Sequence, residues 1–197
     1  TLYFCSAEAK KIPEEYKEIR YNLCSIDFDP STGTFGSRID TLVNAEALGK
    51  SVSFPRPSYD GKYIMFTLSD YGNFSIWHKE ADLWLLDLTS GDLRKLSEVN
   101  SDDTESFHNW SSNSRWFVFS SRRGDGLYTR LYLASMDENG KISKPFLLPQ
   151  EDPETYYDRS VYSYNVPDFT SEPIKIDTRV FEKKITSKER IQVQAKK

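Results

Sequence analysis

The sequence predicts an all-β fold built from repeated four-stranded antiparallel sheets, and three observations indicate it. Aromatic residues make up 14% of the 197 residues, and they cluster in short apolar runs that suit half-buried strands. Turn residues separate these runs. The runs also recur along the chain, with an offset of 53 residues between Phe66 and Phe119. A hydrophobic content of 38% is typical of a globular chain.

The repeated unit has four strands in a fixed order. A strand end, a tight turn and a second apolar strand occupy residues 57–66, and the same pattern recurs at 110–119. Third strands are predicted at 82–88 and 130–134, and fourth strands at 93–96 and 145–148. An earlier copy, at 2–5, 23–28 and 41–43, has all but the innermost strand. A unit of this kind cannot cover its own apolar faces, so neighbouring units are expected to stack.

Radial stacking of such sheets predicts a partial β-propeller over residues 1–170, with about three blades. The blades are expected at 1–50, 51–103 and 104–157, with a further strand at 160–164. An open stack would expose apolar faces and unpaired edges. We therefore expect the missing blades upstream of Thr1 or in another chain.

The segment 171–197 is predicted to be a C-terminal strand followed by a polar tail. Residues 174–180 alternate like a solvent-facing strand. Residues 183–197 are polar and charged, which indicates either a flexible end or a linker to a further domain.

The turn Ser58-Tyr59-Asp60-Gly61-Lys62 resembles the TolB-type repeat, in which Ser-Pro-Asp-Gly-Lys precedes an apolar strand. The third strand that begins at residue 82 and the turn at 89–91 are similar to the same family. Tyr59 departs from the family's proline, and residues 113–114 are Asn-Ser where the family has Asp-Gly. The resemblance implies a six-bladed propeller that acts as a binding or scaffolding module in a bacterial cell envelope. It also implies a periplasmic location and a partner that is a protein or an envelope polymer.

Charge and hydropathy exclude other partner classes. Basic residues number 26 against 30 acidic ones, so nucleic acid is not an expected partner. No apolar run approaches the length of a membrane-spanning helix. No cofactor and no metal site are predicted.

Catalytic equipment is sparse, since the chain has only two histidines, His78 and His108. We predict no catalytic residue. His108 lies at the entry of an innermost strand, where side chains are expected to line the central channel, and it is either a structural hydrogen-bonded histidine or a channel ligand-binding group. Asn109 and Arg56 are further candidates for ligand or partner binding. His78 is expected to lie on the solvated surface.

The loop 121–126 offers the guanidinium groups of Arg122 and Arg123, together with Asp125, to a partner. Its alternative interpretation is an ordinary hairpin turn, since Gly-Asp-Gly is common turn chemistry. The acidic run 101–105 lacks the spacing of a calcium loop and is expected to be solvated. Cys5 and Cys24 lie on adjacent predicted strands, either as free thiols or as a disulfide.

Two other functions stay open on the sequence. One is a propeller enzyme of the polysaccharide lyase or hydrolase type, or a propeller that gates a catalytic domain outside this sequence; no Gly-x-Ser-x-Gly elbow occurs within it. The other is a sensor or secretion-system module that carries a propeller.

Overall fold

The strands of the computed structural model, which describes residues 1–188, form three antiparallel sheets. The first, in the order β1-β2-β3, has three strands; the second, β4-β5-β6-β7, and the third, β11-β10-β9-β8, have four each. Their bounds are β1 (Leu2–Ser6), β2 (Asn22–Asp29), β3 (Thr34–Val43), β4 (Ser51–Pro57), β5 (Tyr63–Ser69), β6 (Asp82–Asp87), β7 (Leu93–Lys95), β8 (Glu105–Trp110), β9 (Trp116–Ser121), β10 (Arg130–Ser135) and β11 (Phe146–Leu147).

Each sheet is a meander in which consecutive strands are neighbours, as expected for the blade of a propeller. We call the sheets the first, second and third blade. Strands β4 and β8 are the innermost strands of the second and third blades, and they pack against each other. The protein is thus an all-β chain with the architecture of a partial β-propeller, as the sequence predicts.

Two apolar cores lie between successive blades. One packs Leu23 and Val43 of the first blade against Ile64 and Phe66 of the second. The other packs a second set of residues from the second blade against the third: Met65, Leu83, Leu85, Trp110, Phe117 and Phe119. The central strand β5 is therefore buried on both faces, which explains its almost continuous apolar sequence. Burial of this kind, at about 25 cal/mol per Å² of apolar surface, is the main force that holds blade on blade.

The turn between the first two strands has the same geometry in both complete blades. Ser58 N–H donates to the Tyr63 carbonyl, and Ser111 N–H donates to the Trp116 carbonyl, each at 2.8 Å. Ser114 has φ 56° at the position that corresponds to Gly61, where φ is 71°. The third blade therefore keeps the turn although its sequence departs from Asp-Gly. In addition, Asp60 N–H donates to Ser114 Oγ at 3.0 Å and so joins the two turns.

The C-terminal segment differs from the prediction. A short helix, α1 (Ala45–Leu48), lies between the first and second blades. Helix α2 (Pro153–Arg159) follows the third blade, and helix α3 (Thr178–Thr186) is the last helix of the described residues. The predicted strand at 160–164 is wrong, because these residues form no β-ladder within residues 1–188. The predicted strand at 174–180 is also wrong. Asp177 caps α3 by accepting a hydrogen bond from Arg179 N–H, so helix replaces the alternating strand.

The remainder of the predicted polar tail, residues 189–197, lies outside the described residues. None of the helices in residues 1–188 is long and apolar enough to cross a bilayer.

Cys5 and Cys24 are free thiols. Cys5 lies opposite Leu23, and Cys24 lies opposite Phe4. Since directly opposed residues share a face of a sheet, the two thiols point to opposite faces. Burial, followed by the neighbouring Cys24, raises the pKa of Cys5 to about 11.

Candidate functional site

The innermost strands of the two complete blades carry matched irregularities. The register of β4 shifts between Ser53 and Arg56, and the register of β8 shifts between Ser106 and Asn109. Phe54 lies inside the first bulge with φ 54°, and Phe107 inside the second with φ 46°. Their rings are 4.6 Å apart between centroids. A bulky residue with positive φ is strained, so both blades maintain an unfavourable backbone that brings a phenylalanine to the same place.

These phenylalanines line a cavity of about 390 Å³ built by all three blades. The first blade contributes Cys5 of β1, and the loop between β5 and β6 contributes Phe74, which also has a positive φ of 50°. Phe74 is 78% exposed, so the cavity opens to solvent beside it. The full lining is Cys5, Tyr21, Val52, Ser53, Phe54, Gly72, Phe74, Ser75, Ile76 and Phe107. An apolar concave surface with a few hydroxyl groups is typical of a binding site.

The Tyr21 ring, which lines this cavity, lies so close to the backbone of residue 72 that only glycine fits there. A Cβ atom at position 72 would lie 2.4 Å from Cδ2 of the Tyr21 ring. Gly72 N–H donates to the Ile19 carbonyl at 2.8 Å, so the backbone is fixed on that side as well. A side chain at this position would displace the tyrosine and reshape the cavity.

His108 lies between the second and third blades and is fully buried. Its Nε2 atom is 2.8 Å from the Met65 carbonyl of β5. Burial lowers the pKa of His108 from its ordinary value of 6.5 to about 4, so the ring is neutral at pH 7. This geometry agrees with the interpretation of His108 as a structural, hydrogen-bonded histidine. A role of His108 in ligand binding stays a prediction.

Arg56 and Asn109 are equivalent residues that directly follow the two bulges. The Arg56 side chain is exposed, while its carbonyl accepts a hydrogen bond from Trp110 Nε1 at 3.1 Å. Asn109 Nδ2 donates to the Asp168 carboxylate at 2.9 Å. The exposed Arg56 guanidinium and the Asn109 amide differ in this respect, and partner binding by either stays a prediction.

Arg123 is engaged inside the protein. Its Nη2 atom is 3.0 Å from Oε1 of Glu105, and its guanidinium lies over the Tyr132 ring at 4.6 Å. Glu105 is fully buried and also accepts hydrogen bonds from the hydroxyls of Ser101 and Ser121. Burial raises the pKa of Glu105, although these donors and Arg123 oppose the shift. The acidic run 101–105 was expected to be solvated, and this is wrong for most of it: Asp103, Thr104 and Glu105 are buried, and Asp102 alone of its acidic residues is exposed.

Arg122 and Asp125 also have internal partners. Arg122 Nε donates to the Gly126 carbonyl at 3.2 Å, and its guanidinium lies over the exposed Trp77 ring at 4.9 Å. Asp125 accepts hydrogen bonds from the N–H groups of Leu127 and Tyr128, each at 2.8 Å. Burial opposes the change, but these N–H groups hold the pKa of Asp125 below its ordinary value. These contacts are those of an ordered turn, and partner binding here stays a prediction.

The structure brings together only some of the predicted site residues. Arg56, His108 and Asn109 lie on the innermost strands beside the bulges, whereas Arg122, Arg123 and Asp125 belong to the β9–β10 loop. Sequence reasoning missed Phe54, Phe74 and Phe107, although the Ser-Phe dipeptide that ends at residues 54 and 107 repeats with the blade spacing.

His78 is buried rather than solvated. Its ring lies 4.1 Å from that of Tyr71 between centroids, and its Nδ1 atom is 3.1 Å from the Glu80 carboxylate. In the described part of the chain, no group of three or more His, Cys, Asp or Glu side chains is placed to hold a metal ion.

No protein-family model matches the chain, and a search among curated proteins gave no match. Among solved structures, the chain is similar to TolB from Acinetobacter baumannii, with 21% identity and a TM-score of 0.41 over 64% of this chain and 26% of that one. It is similar to a putative TolB from Agrobacterium tumefaciens, with 18% identity and a TM-score of 0.45 over 74% and 44%. It is also similar to the β-propeller domain of the Trilobed protease from Pyrococcus furiosus, with 16% identity and a TM-score of 0.41 over 76% and 40%. The chain spans less than half the length of each of these proteins.

Proposed function

We propose that this chain is a non-catalytic propeller module that binds a protein or an envelope polymer at the inner ends of its blades, in the periplasm or elsewhere in a bacterial cell envelope. The observation that carries the proposal is the apolar cavity beside Phe54 and Phe107. Three blades build it, and it is lined by phenylalanines that the backbone holds under strain. The envelope location is supported by the resemblance of the Ser58–Lys62 turn to the TolB-type repeat.

The chemistry of the cavity favours an apolar group of the partner. Cys5, Val52, Ile76 and the phenylalanine rings present carbon and sulfur atoms, while Ser53 and Ser75 are the hydroxyl-bearing residues besides Tyr21. Ser75 Oγ donates to Ser53 Oγ at 3.3 Å, so these hydroxyls partly satisfy each other. An aliphatic or aromatic side chain of a protein partner would gain most from this surface.

Arg56 adds a preference for negative charge near the apolar group. It follows Phe54 by two residues and directly follows the bulge. An exposed guanidinium contributes to orientation and association rate more than to affinity. The favoured partner segment therefore combines an apolar side chain with a nearby carboxylate.

Site-specific photo-crosslinking tests this function. We expect p-benzoylphenylalanine at position 74 to give a discrete adduct with one protein of a bacterial envelope extract, or with purified peptidoglycan. The same group at Tyr59, which is 68% exposed in the turn between β4 and β5, is the matched control. The adduct should weaken in the Arg56→Ala background. Equal labelling from both positions would contradict the proposal.

A further inference from the structure

A second cavity lies between the second and third blades, and its volume is about 350 Å³. Three segments line it together with Tyr63 of β5: the β4–β5 turn, the β8–β9 turn and the start of the β10–β11 loop. Two neighbouring blades therefore build the cavity. Sites for small ligands have volumes from about 300 Å³ upward, so this cavity can hold a small molecule.

This cavity and the one beside Phe54 lie at opposite ends of the central strand β5. Tyr63, the first residue of β5, lines the second cavity, whereas Gly72 and Phe74, in the loop after β5, line the first. Strand β5 has seven residues, and each residue of a strand spans about 3.3 Å, so roughly 20 Å separate the two sites. A ligand in the second cavity would not compete directly with a partner at Phe54.

Hydrogen bonds fix the three lining segments against one another. Asp60 N–H donates to Ser114 Oγ at 3.0 Å and joins the two turns. Met136 N–H donates to the Arg115 carbonyl at 2.8 Å and joins the β10–β11 loop to the β8–β9 turn. Ser114 and Met136 are each only 4% exposed. The cavity is therefore held open by ordered backbone before any ligand binds.

Charged groups of both signs line the second cavity. Lys62 and Arg115 are its cations, and Asp60, Asp137 and Glu138 are its carboxylates. Lys62 Nζ is 4.0 Å from Asp60 Oδ2. Arg115 Nη2 is 2.5 Å from Glu138 Oε1, although the Glu138 side chain is 80% exposed. Exposed ion pairs of this kind contribute little free energy, so the charges of a ligand can replace them.

Asp137 and Ser114 keep hydrogen-bonding capacity for a ligand. The N–H groups of Asn139 and Lys141 both donate to Asp137 Oδ1, each at 2.9 Å. They hold the carboxylate in place and leave Oδ2 available, as far as the described part of the chain shows. The Ser114 hydroxyl accepts from Asp60 N–H and still has its own proton to donate. The cavity thus offers a fixed acceptor and a buried donor.

Ser114 is an unfavourable residue for its backbone conformation. Its φ is 56°, where the equivalent residue of the second blade is Gly61 with φ 71°. A serine at positive φ is strained and a glycine is not. Strained residues of this kind cluster at ligand sites, and here the strain accompanies a hydroxyl in the cavity lining.

We propose that the second cavity binds a small zwitterion of the amino acid or dipeptide class. The ligand's carboxylate accepts hydrogen bonds from Arg115, Lys62 and the Ser114 hydroxyl. Its ammonium donates to Asp137 Oδ2 and to Glu138. A zwitterion satisfies both signs of charge at once, whereas a simple anion would face three carboxylates and a simple cation would face two basic groups.

Titration calorimetry of the full chain with alanyl-alanine as the probe tests the charge requirement. We expect saturable binding at one site per chain. N-acetyl-alanyl-alanine, which has only the carboxylate, and alanyl-alanine amide, which has only the ammonium, should each bind at least about tenfold more weakly. Equal affinities for the three peptides, or the absence of saturable binding of alanyl-alanine, would overturn the proposal.

Substitutions of lining residues locate the site. Arg115→Ala and Glu138→Gln should each raise the dissociation constant of alanyl-alanine at least about fivefold. Ser114→Gly keeps the backbone of the turn, removes only the hydroxyl, and should weaken binding as well. Arg38→Ala removes the same charge from an exposed pair with Asp40 on β3 and is the matched control, with no change expected. Equal effects of Arg115→Ala and Arg38→Ala would count against a site in this cavity.

Methyl spectra of the two methionines give a readout at the cavity itself. Met136 lines the cavity, whereas Met65 is fully buried between the blades. Alanyl-alanine should shift the methyl signal of Met136 and leave that of Met65 in place. No shift of the Met136 signal at saturating peptide would overturn the assignment. Crosslinking from position 74 does not depend on this result, because that site lies at the other end of β5.

Discussion

Phe54 and Phe107 are 53 positions apart in the sequence, and their rings lie 4.6 Å apart at an angle of 39°. Each is the strained residue of a bulge in an innermost strand. A β-bulge changes the direction in which a side chain points, and bulges are common next to functional sites. The pair therefore links the repeat of the sequence to the cavity of the candidate site.

The first prediction separates backbone strain from the loss of the ring. At position 107, glycine should be more stable than alanine by about 1 kcal/mol in the free energy of unfolding, because only glycine adopts a positive φ without cost. Urea denaturation of Phe107→Gly and Phe107→Ala measures the difference. At Phe146 of β11, where φ is not positive, the order should reverse. A lower stability for glycine at position 107 would contradict the assigned backbone.

The second prediction concerns pH. The neutral ring of His108 is favoured in the fold, since its pKa is lowered from 6.5 to about 4 by burial. The unfolded chain takes up the proton first as the pH falls, so the stability present above pH 6.5 is lost on the way to pH 4. Over this window the wild type should lose about 3 kcal/mol more than His108→Gln. Parallel pH profiles of the two proteins would show that this histidine is not buried as neutral imidazole.

The third prediction tests whether Arg123 stabilises the fold or serves a partner. Arg123→Ala leaves the buried Glu105 carboxylate without its cation and should cost about 3 kcal/mol of unfolding free energy. Adding Glu105→Gln to that variant should recover part of the loss. Arg115→Ala breaks an exposed pair with Glu138 and should cost less than about 1 kcal/mol. Equal, small losses from Arg123 and Arg115 would indicate that the buried network is not formed.

The fourth prediction concerns the segment after α2. The guanidinium of Arg130 donates to the carbonyls of Tyr162 at 2.7 Å and Ser160 at 3.0 Å. Arg130→Ala should therefore release this segment and raise the rate of chymotrypsin cleavage after Tyr157 or Tyr162 at least about tenfold. Arg159→Ala, an exposed arginine of α2, is the control. An unchanged cleavage rate in Arg130→Ala would show that the Arg130 guanidinium does not hold this segment in place.

Much of the fold could be predicted because the second and third blades repeat the same order of turns and strands. The turn residues Ser58 and Ser111 are 53 residues apart and make the same backbone hydrogen bond. Where the repeat fades, prediction failed. Tyr164 N–H donates to the Thr129 carbonyl as Val52 and Glu105 N–H of the inner strands donate to the blade before them, but no ladder follows within residues 165–188. The Asp177 cap begins a helix where alternation indicated a strand.

The candidate site was harder to predict because it depends on which residues the fold makes adjacent. Arg122 and Arg123 read as free cations, yet Arg123 meets Glu105 only because β8 and β9 are paired. His108 belongs to an innermost strand, which was predicted to line the channel, but its side chain contacts the Met65 carbonyl between the second and third blades. A bulge is a property of two strands together, so nothing local to Phe54 or Phe107 indicates a positive φ.

Amide hydrogen exchange tests the central claim, that successive inner strands hold equivalent places about one axis. The N–H groups of Val52, Glu105 and Tyr164 should all be protected, each at least about a hundredfold relative to the unfolded chain, because each donates to the blade before it. Exchange of Tyr164 at the unfolded rate, with Val52 and Glu105 protected, would contradict the account.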